Sequence, residues 1–194
     1  MRLNALLTVM SFLLVAASRA PAGTRIEFEA RDFDASNLRV SLTGHDYADG
    51  SSCIWNAGEL PNYAEYEIEF PVSGEYALSI LYAAHQARPV QIRLDGKTVH
   101  TGLTGTTGSW QTKSAKWEPQ CTLKIEKGWH TLALFRDDCM PHICAVRLET
   151  PVAFPQGWQL KRLTDQQRAQ RAERAARRMR MRDQAASLEA IDPA

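Results

Sequence analysis

From Asn62 to Phe70 the chain alternates, with Ala64, Tyr66, Ile68 and Phe70 on one side and Glu65, Glu67 and Glu69 on the other. A period of two marks a strand with one buried and one wet face. Pro71-Val72-Ser73-Gly74 interrupts the run, and proline and glycine favour turns over strands. Alternation resumes with Tyr76, Leu78, Ile80 and Tyr82 inward. This spacing predicts two strands joined as an antiparallel pair, with a second layer from elsewhere in the chain covering their inner face.

The same period appears on both sides of this stretch. Ile26 and Phe28 alternate with Glu27 and Glu29, and Leu38, Val40 and Leu42 alternate along 37–42. Short strands are expected near Cys53–Trp55, over Val90–Leu94, around Trp117 and Thr122–Glu126, over Trp129–Phe135 and over Ile143–Glu149. Asp95-Gly96 is a hairpin turn, because both positions tolerate positive φ. No helical period is evident between 24 and 150. Eight to ten short strands with regular turn signals predict an all-β fold, a β-sandwich or jelly roll of two antiparallel sheets.

The two ends differ from this middle. Residues 1–22 combine a basic Arg2, an apolar run from Ala5 to Ala17 and the small-x-small site Ala20-Pro21-Ala22. This is the pattern of a secretory signal peptide, and the apolar run is shorter than the roughly 20 residues of a membrane span. The sandwich is expected over 23–152. Residues 153–194 form a Pro/Gly-containing exit segment and then a basic tail, in which Thr164 and Gln167 make a capping box for a helix to Met181. The protein is expected to be secreted, periplasmic or on the cell surface.

Charge sharpens the division. Residues 23–158 hold 12 lysines and arginines against 17 acids, and residues 159–194 hold nine against five. A mildly acidic globular part argues against nucleic-acid binding. The tail is expected to be a solvated or partly disordered charged helix, or a docking element for an acidic partner, an anionic surface or another domain.

Export permits disulfides. Cys53, Cys121, Cys139 and Cys144 are the candidates, and four cysteines allow three connectivities. Cys139 and Cys144 flank a Pro-containing bend and could bridge if it folds back. No sequence signature of a catalytic site is present. His130 is explained as a strand residue and Asp137-Asp138 as turn chemistry. Binding chemistry is better represented. Trp110 ends the loop TGTTGSW, and Trp55, Asn56 and Tyr47 lie in or beside another loop. Aromatic rings on loops can stack on the apolar faces of sugars, while amides and hydroxyls bond sugar hydroxyls. For Trp55 and Tyr47 a core position explains the residues equally well. Glu27 and Glu29 share a strand face, a solvated edge or part of a calcium site.

The segments IEFEARDF, WNAG, NYAEYEIEFPVSGEYALSILYAA, RPVQIRLDGK, TGSWQTK and GWHTLAL to HICAVRLE occur in that order over roughly 25–149. In order and spacing they resemble the galactose-binding-like β-sandwich of carbohydrate-binding module families 6 and 35. The resemblance implies a non-catalytic domain that binds sugar in a cleft of loops at one end of the sandwich, commonly beside a glycan-degrading enzyme. It implies that Trp110 is the stacking tryptophan and that His142 replaces a ligand-bonding asparagine. Tyr47 and Trp55 fall near the second cleft aromatic. Glu27 and Glu29 match an acidic pair that holds a structural calcium, but Cys144 stands where the family has an aspartate, so one ligand is missing. The function expected is polysaccharide binding without catalysis. Its competitor is a structural or protein-interaction module that has kept the sandwich and lost the sugar site, for which His142 and Cys144 are the support.

Overall fold

The computed structural model describes residues 24–56, 58–161 and 166. The signal peptide expected over 1–22 lies outside the described residues, as does the basic helix expected from Thr164 apart from Gln166. The described chain forms eleven strands: β1 Thr24–Glu29, β2 Ala35–Ser36, β3 Arg39–Ser41, β4 Cys53–Trp55, β5 Asn62–Phe70, β6 Gly74–Ala83, β7 Val90–Leu94, β8 Lys97–Gly102, β9 Lys116–Ile125, β10 Gly128–Arg136 and β11 His142–Thr150. One sheet runs β3-β4-β11-β6-β9, with β1 also paired to β11, and the other runs β2-β5-β10-β7-β8. All pairings are antiparallel. The protein is an all-β sandwich of two sheets.

The antiparallel pair expected between the strands on either side of Pro71 is not formed. β5 pairs β2 and β10 in one sheet, and β6 pairs β9 and β11 in the other. The buried faces were correctly read: Tyr66, Ile68, Phe70, Tyr76, Ile80 and Tyr82 are all fully buried. They meet across the core instead of side by side, with the Phe70 and Tyr76 rings edge to face at 5.0 Å. Alternation fixes which side of a strand is buried and leaves its hydrogen-bonding neighbour open. A strand that crosses to the opposite layer shows the same period as one that folds back. The β7–β8 hairpin forms as expected, with Asp95 at φ 50° and Gly96 at φ 79°.

Core tyrosines keep their hydroxyls bonded. Tyr66 donates to the Ala30 carbonyl at 2.8 Å, Tyr76 to the Val72 carbonyl at 2.8 Å, and Tyr82 to Glu118 Oε2 at 2.7 Å. A buried phenol without such a partner would lose the free energy its ring gains.

The chain does not leave the fold at Thr150. Phe154, Trp158 and Leu160 pack against the core, the Phe154 and Trp158 rings meet at 4.7 Å, and Lys161 Nζ reaches Glu69 Oε2 at 2.7 Å. This segment runs from β11 past β1 to β5. With β1 it encloses a groove of about 520 Å³ lined by Ile26, Phe154, Trp158 and Leu160.

Candidate functional site

A bulge in β11 organises one end of the sandwich. The register against β6 shifts between Ile143 and Ala145, leaving Cys144 as the extra residue. A bulge inserts one residue and re-aims the side chains around it. Ile143, Val146 and Leu148 therefore all face the main core, while Cys144 joins Ala48 and Cys53 in a second buried cluster, against which Tyr47 and Trp55 pack.

Two loops are tied together over this cluster. Thr112, buried in a single turn of 3₁₀ helix, accepts from the Gly50 and Ser51 amides at 2.9 and 3.0 Å. Its own amide donates to the Tyr47 carbonyl at 2.9 Å. The Lys113 amide donates to Asp49 Oδ1 at 2.8 Å. The loops approach so closely that a Cβ at Gly50 would lie 2.9 Å from the Lys113 backbone nitrogen. Farther up, Thr107 bonds both backbone groups of Ala84, at the end of β6. Trp110 thus sits on a loop fixed at both ends, which is why a loop residue is only half exposed and packs on the core.

The outcome is a cleft of about 180 Å³ lined by Tyr47, Trp55, Asn56, Arg88, Trp110, Cys139 and His142. His142 is its floor, 5% exposed, with the Tyr47 ring at 4.3 Å, Trp110 at 5.2 Å and Trp55 at 6.2 Å. His142 Nδ1 lies 2.7 Å from the Trp110 carbonyl. A carbonyl only accepts, so Nδ1 carries the proton and Nε2 is an acceptor. Burial, reinforced by the charge of Arg88, lowers the His142 pKa and outweighs the opposing effect of the Trp110 carbonyl. The ring is neutral at physiological pH.

The other walls are also restrained. Trp55 donates its indole N–H to Ser41 Oγ at 2.8 Å, and Ser41 donates to Asp46 at 3.0 Å. Asn56 Oδ1 accepts from the Gly58 amide and from Asn62, and Asn56 Nδ2 donates to Cys139 Sγ at 3.1 Å. Asn56 is therefore largely committed to shaping the cleft. Trp110 is not an open platform either: the Arg88 guanidinium lies 4.0 Å from its ring centre, and Arg88 Nη1 donates to the Met140 carbonyl at 2.9 Å.

The five residues singled out for sugar chemistry, Tyr47, Trp55, Asn56, Trp110 and His142, come from separate parts of the chain and line this one cleft. Sequence reasoning missed Arg88 and Cys139 as lining residues, and it missed Thr112 as the tie that sets the cleft's width. Arg88 and Thr112 lie within the segments RPVQIRLDGK and TGSWQTK that carry the resemblance, but neither residue type marks a cleft role by itself, and Cys139 reads from the sequence only as a disulfide candidate.

The acidic pair behaves differently. Glu27 accepts from Arg147 at 2.8 Å, and Glu29 accepts from Arg31 at 2.6 Å and from Ser52. The Ser52 hydroxyl and then the Arg31 guanidinium hold the Glu29 carboxyl below the usual range. These residues do not fit a calcium ion. Hard cations take several oxygen ligands, whereas each carboxylate here already faces a guanidinium and Cys144 is a buried thiol. Among the described residues no group of three His, Cys, Asp or Glu side chains is arranged to hold a metal ion.

All four cysteines are free thiols. The Cys139–Cys144 bridge considered from the sequence does not form, because Cys139 lines the cleft while Cys144 turns into the second cluster. Burial, then the nearby Cys144 and Asp46, push the Cys53 pKa up to about 12. Burial raises Cys144 to about 11.

No family model matches the chain, and no curated protein matches it. Solved structures do. A family 35 carbohydrate-binding module from Clostridium thermocellum is 22% identical, with a TM-score of 0.52 over 64% of this chain and 97% of that one. The C-terminal family 6 module of a marine laminarinase from Zobellia galactanivorans is 21% identical, with a TM-score of 0.52 over 66% of this chain and 100% of that one. A family 35 module from Cellvibrio japonicus is 16% identical, with a TM-score of 0.55 over 73% and 99%. The chain has the β-sandwich fold of carbohydrate-binding modules of families 6 and 35.

Proposed function

We propose that the protein is a secreted, non-catalytic carbohydrate-binding module that takes a glycan in the cleft formed by Tyr47, Trp55, Arg88, Trp110 and His142. One observation carries the reading: Tyr47, Trp55, Asn56, Trp110 and His142, the five residues chosen for sugar chemistry, line a single cavity. Aromatic edges supply apolar surface, and His142 Nε2 and the Arg88 N–H groups supply an acceptor and donors for sugar hydroxyls. About 180 Å³ is below the roughly 300–1,000 Å³ of drug-sized sites, which suits one sugar unit rather than a length of chain. The module would serve a glycan-degrading enzyme or a surface assembly, with the basic tail as its link to an acidic partner.

The test is affinity for a panel of plant, algal and bacterial polysaccharides, measured with the wild type and Trp110→Ala. Binding to a panel member that the substitution weakens at least tenfold supports the proposal. Silence across the panel sinks it in favour of a structural or protein-interaction role.

A further inference from the structure

We propose that Cys53 and Cys144 are the disulfide partners of this chain, and that their bond fastens β4 to β11 beneath the cleft. Both are thiols in this structure, and the oxidising compartment in which they join is the one that the secreted reading above supplies. β4 and β11 are antiparallel and in register at Ile54 and Ile143. One step along each strand, in opposite directions, brings Cys53 beside Cys144. Ile54 and Ile143 face the main core. Their neighbours Cys53 and Cys144 turn the other way and share one buried cluster with Ala48. Residues opposed across an antiparallel pair have Cα atoms roughly 4.5–5.5 Å apart, within the roughly 4.4–6.8 Å that a disulfide spans.

The other two cysteines are placed differently. Cys121 lies on β9, and β6 stands between β9 and β11. Two strand spacings of about 4.8 Å each exceed the roughly 7 Å beyond which a bridge cannot form, so Cys121 is out of reach of Cys144 and farther still from Cys53. Cys139 Sγ accepts from Asn56 in the wall of the cleft, outside the second cluster. The bond would strengthen a thin part of the fold. β4 is three residues long, it ends in Trp55, and Tyr47 packs on the same cluster.

The oxidant is a small disulfide such as oxidised glutathione. The thiolate of one cysteine attacks it, forming a mixed disulfide and releasing one glutathione thiolate; the second cysteine then attacks the protein sulfur and releases the other. The two cysteines lose two electrons and two protons, and the oxidant leaves as two glutathione thiols. Attack needs thiolate, and burial, which raises Cys53 to about 12 and Cys144 to about 11, leaves almost none at neutral pH. The bond therefore closes before the second cluster packs, or when it opens.

The experiment is oxidation of the full chain in a mixture of oxidised and reduced glutathione at pH 8, followed by alkylation of free thiols, proteolysis without reduction and mass spectrometry. One arm refolds the reduced, denatured chain; a second holds the folded, reduced protein in the same buffer, so the assignment does not depend on refolding. Both arms are expected to give the Cys53–Cys144 linked peptide as the dominant product, with Cys121 and Cys139 alkylated, and the folded arm should be at least tenfold slower. The linked protein should melt about 10 °C above its reduced form. Cys53→Ala and Cys144→Ala should each melt at the same temperature with and without reductant. Any other dominant pairing, or four alkylated cysteines in both arms, overturns the proposal. So does a linked protein that melts no higher than the reduced one. None of these outcomes bears on glycan affinity, so the sugar-binding reading stands or falls separately.

Discussion

His142 couples the cleft to pH. Its folded-state pKa is depressed by burial, so the unfolded chain binds a proton more readily than the folded one. Stability from this residue is full above the ordinary histidine value of about 6.5 and declines as pH falls from there toward the lowered value. Denaturant unfolding at several pH values from 5 to 8 should therefore show that the stability difference between the wild type and His142→Gln shrinks below about pH 6.5. A difference that stays flat would show that His142 is not buried neutral. At this scale residue type carried real information, since aromatic and histidine side chains on loops and at strand ends line the cleft. It did not carry orientation. Trp110 was legible as a candidate that lines the cleft, yet the guanidinium over its ring came from Arg88, whose position before Pro89 looks like plain connecting chain.

The strands were legible because the period of two survives wherever one face is wet. Val90–Leu94 and Cys53–Trp55 are found as read, and β10 extends the expected Trp129–Phe135 by one residue at each end. Pairing was not legible, since β5 and β6 share a turn but no ladder. The cleft depends on such unreadable relations, above all the tie from Thr112 to the Gly50 and Ser51 amides across some sixty residues. A Cβ at Gly50 has no room against Lys113 backbone, and overpacking of this kind costs about 1–3 kcal/mol. Gly50→Ala should lower stability by that amount in urea unfolding and weaken glycan binding as Tyr47 and Trp110 move apart. Thr112→Val should act in the same direction, because two amides lose their acceptor.

Across the whole molecule, the sandwich remains open along β1 and the second half of β5 until residues 153–161 close it. Glycine and proline in that segment suggested an exit from the domain, which hid Phe154, Trp158 and Leu160 as packing residues. Complete burial makes Trp→Ala cost about 3–5 kcal/mol. Trp158 is half buried, so Trp158→Ala should cost about 2–3 kcal/mol by denaturant unfolding while leaving the distant cleft intact. An unchanged midpoint would show the segment to be a mere appendage.

The central claim is that ligand meets this protein in the cleft over His142. It is tested most directly by titrating ¹⁵N-labelled protein with the tightest-binding glycan and following backbone amide shifts. The account predicts that the largest shifts fall at Tyr47, Trp55, Arg88, Trp110 and His142. Shifts centred on the groove between β1 and Trp158, or on the outer face of β5 and β10, would contradict it.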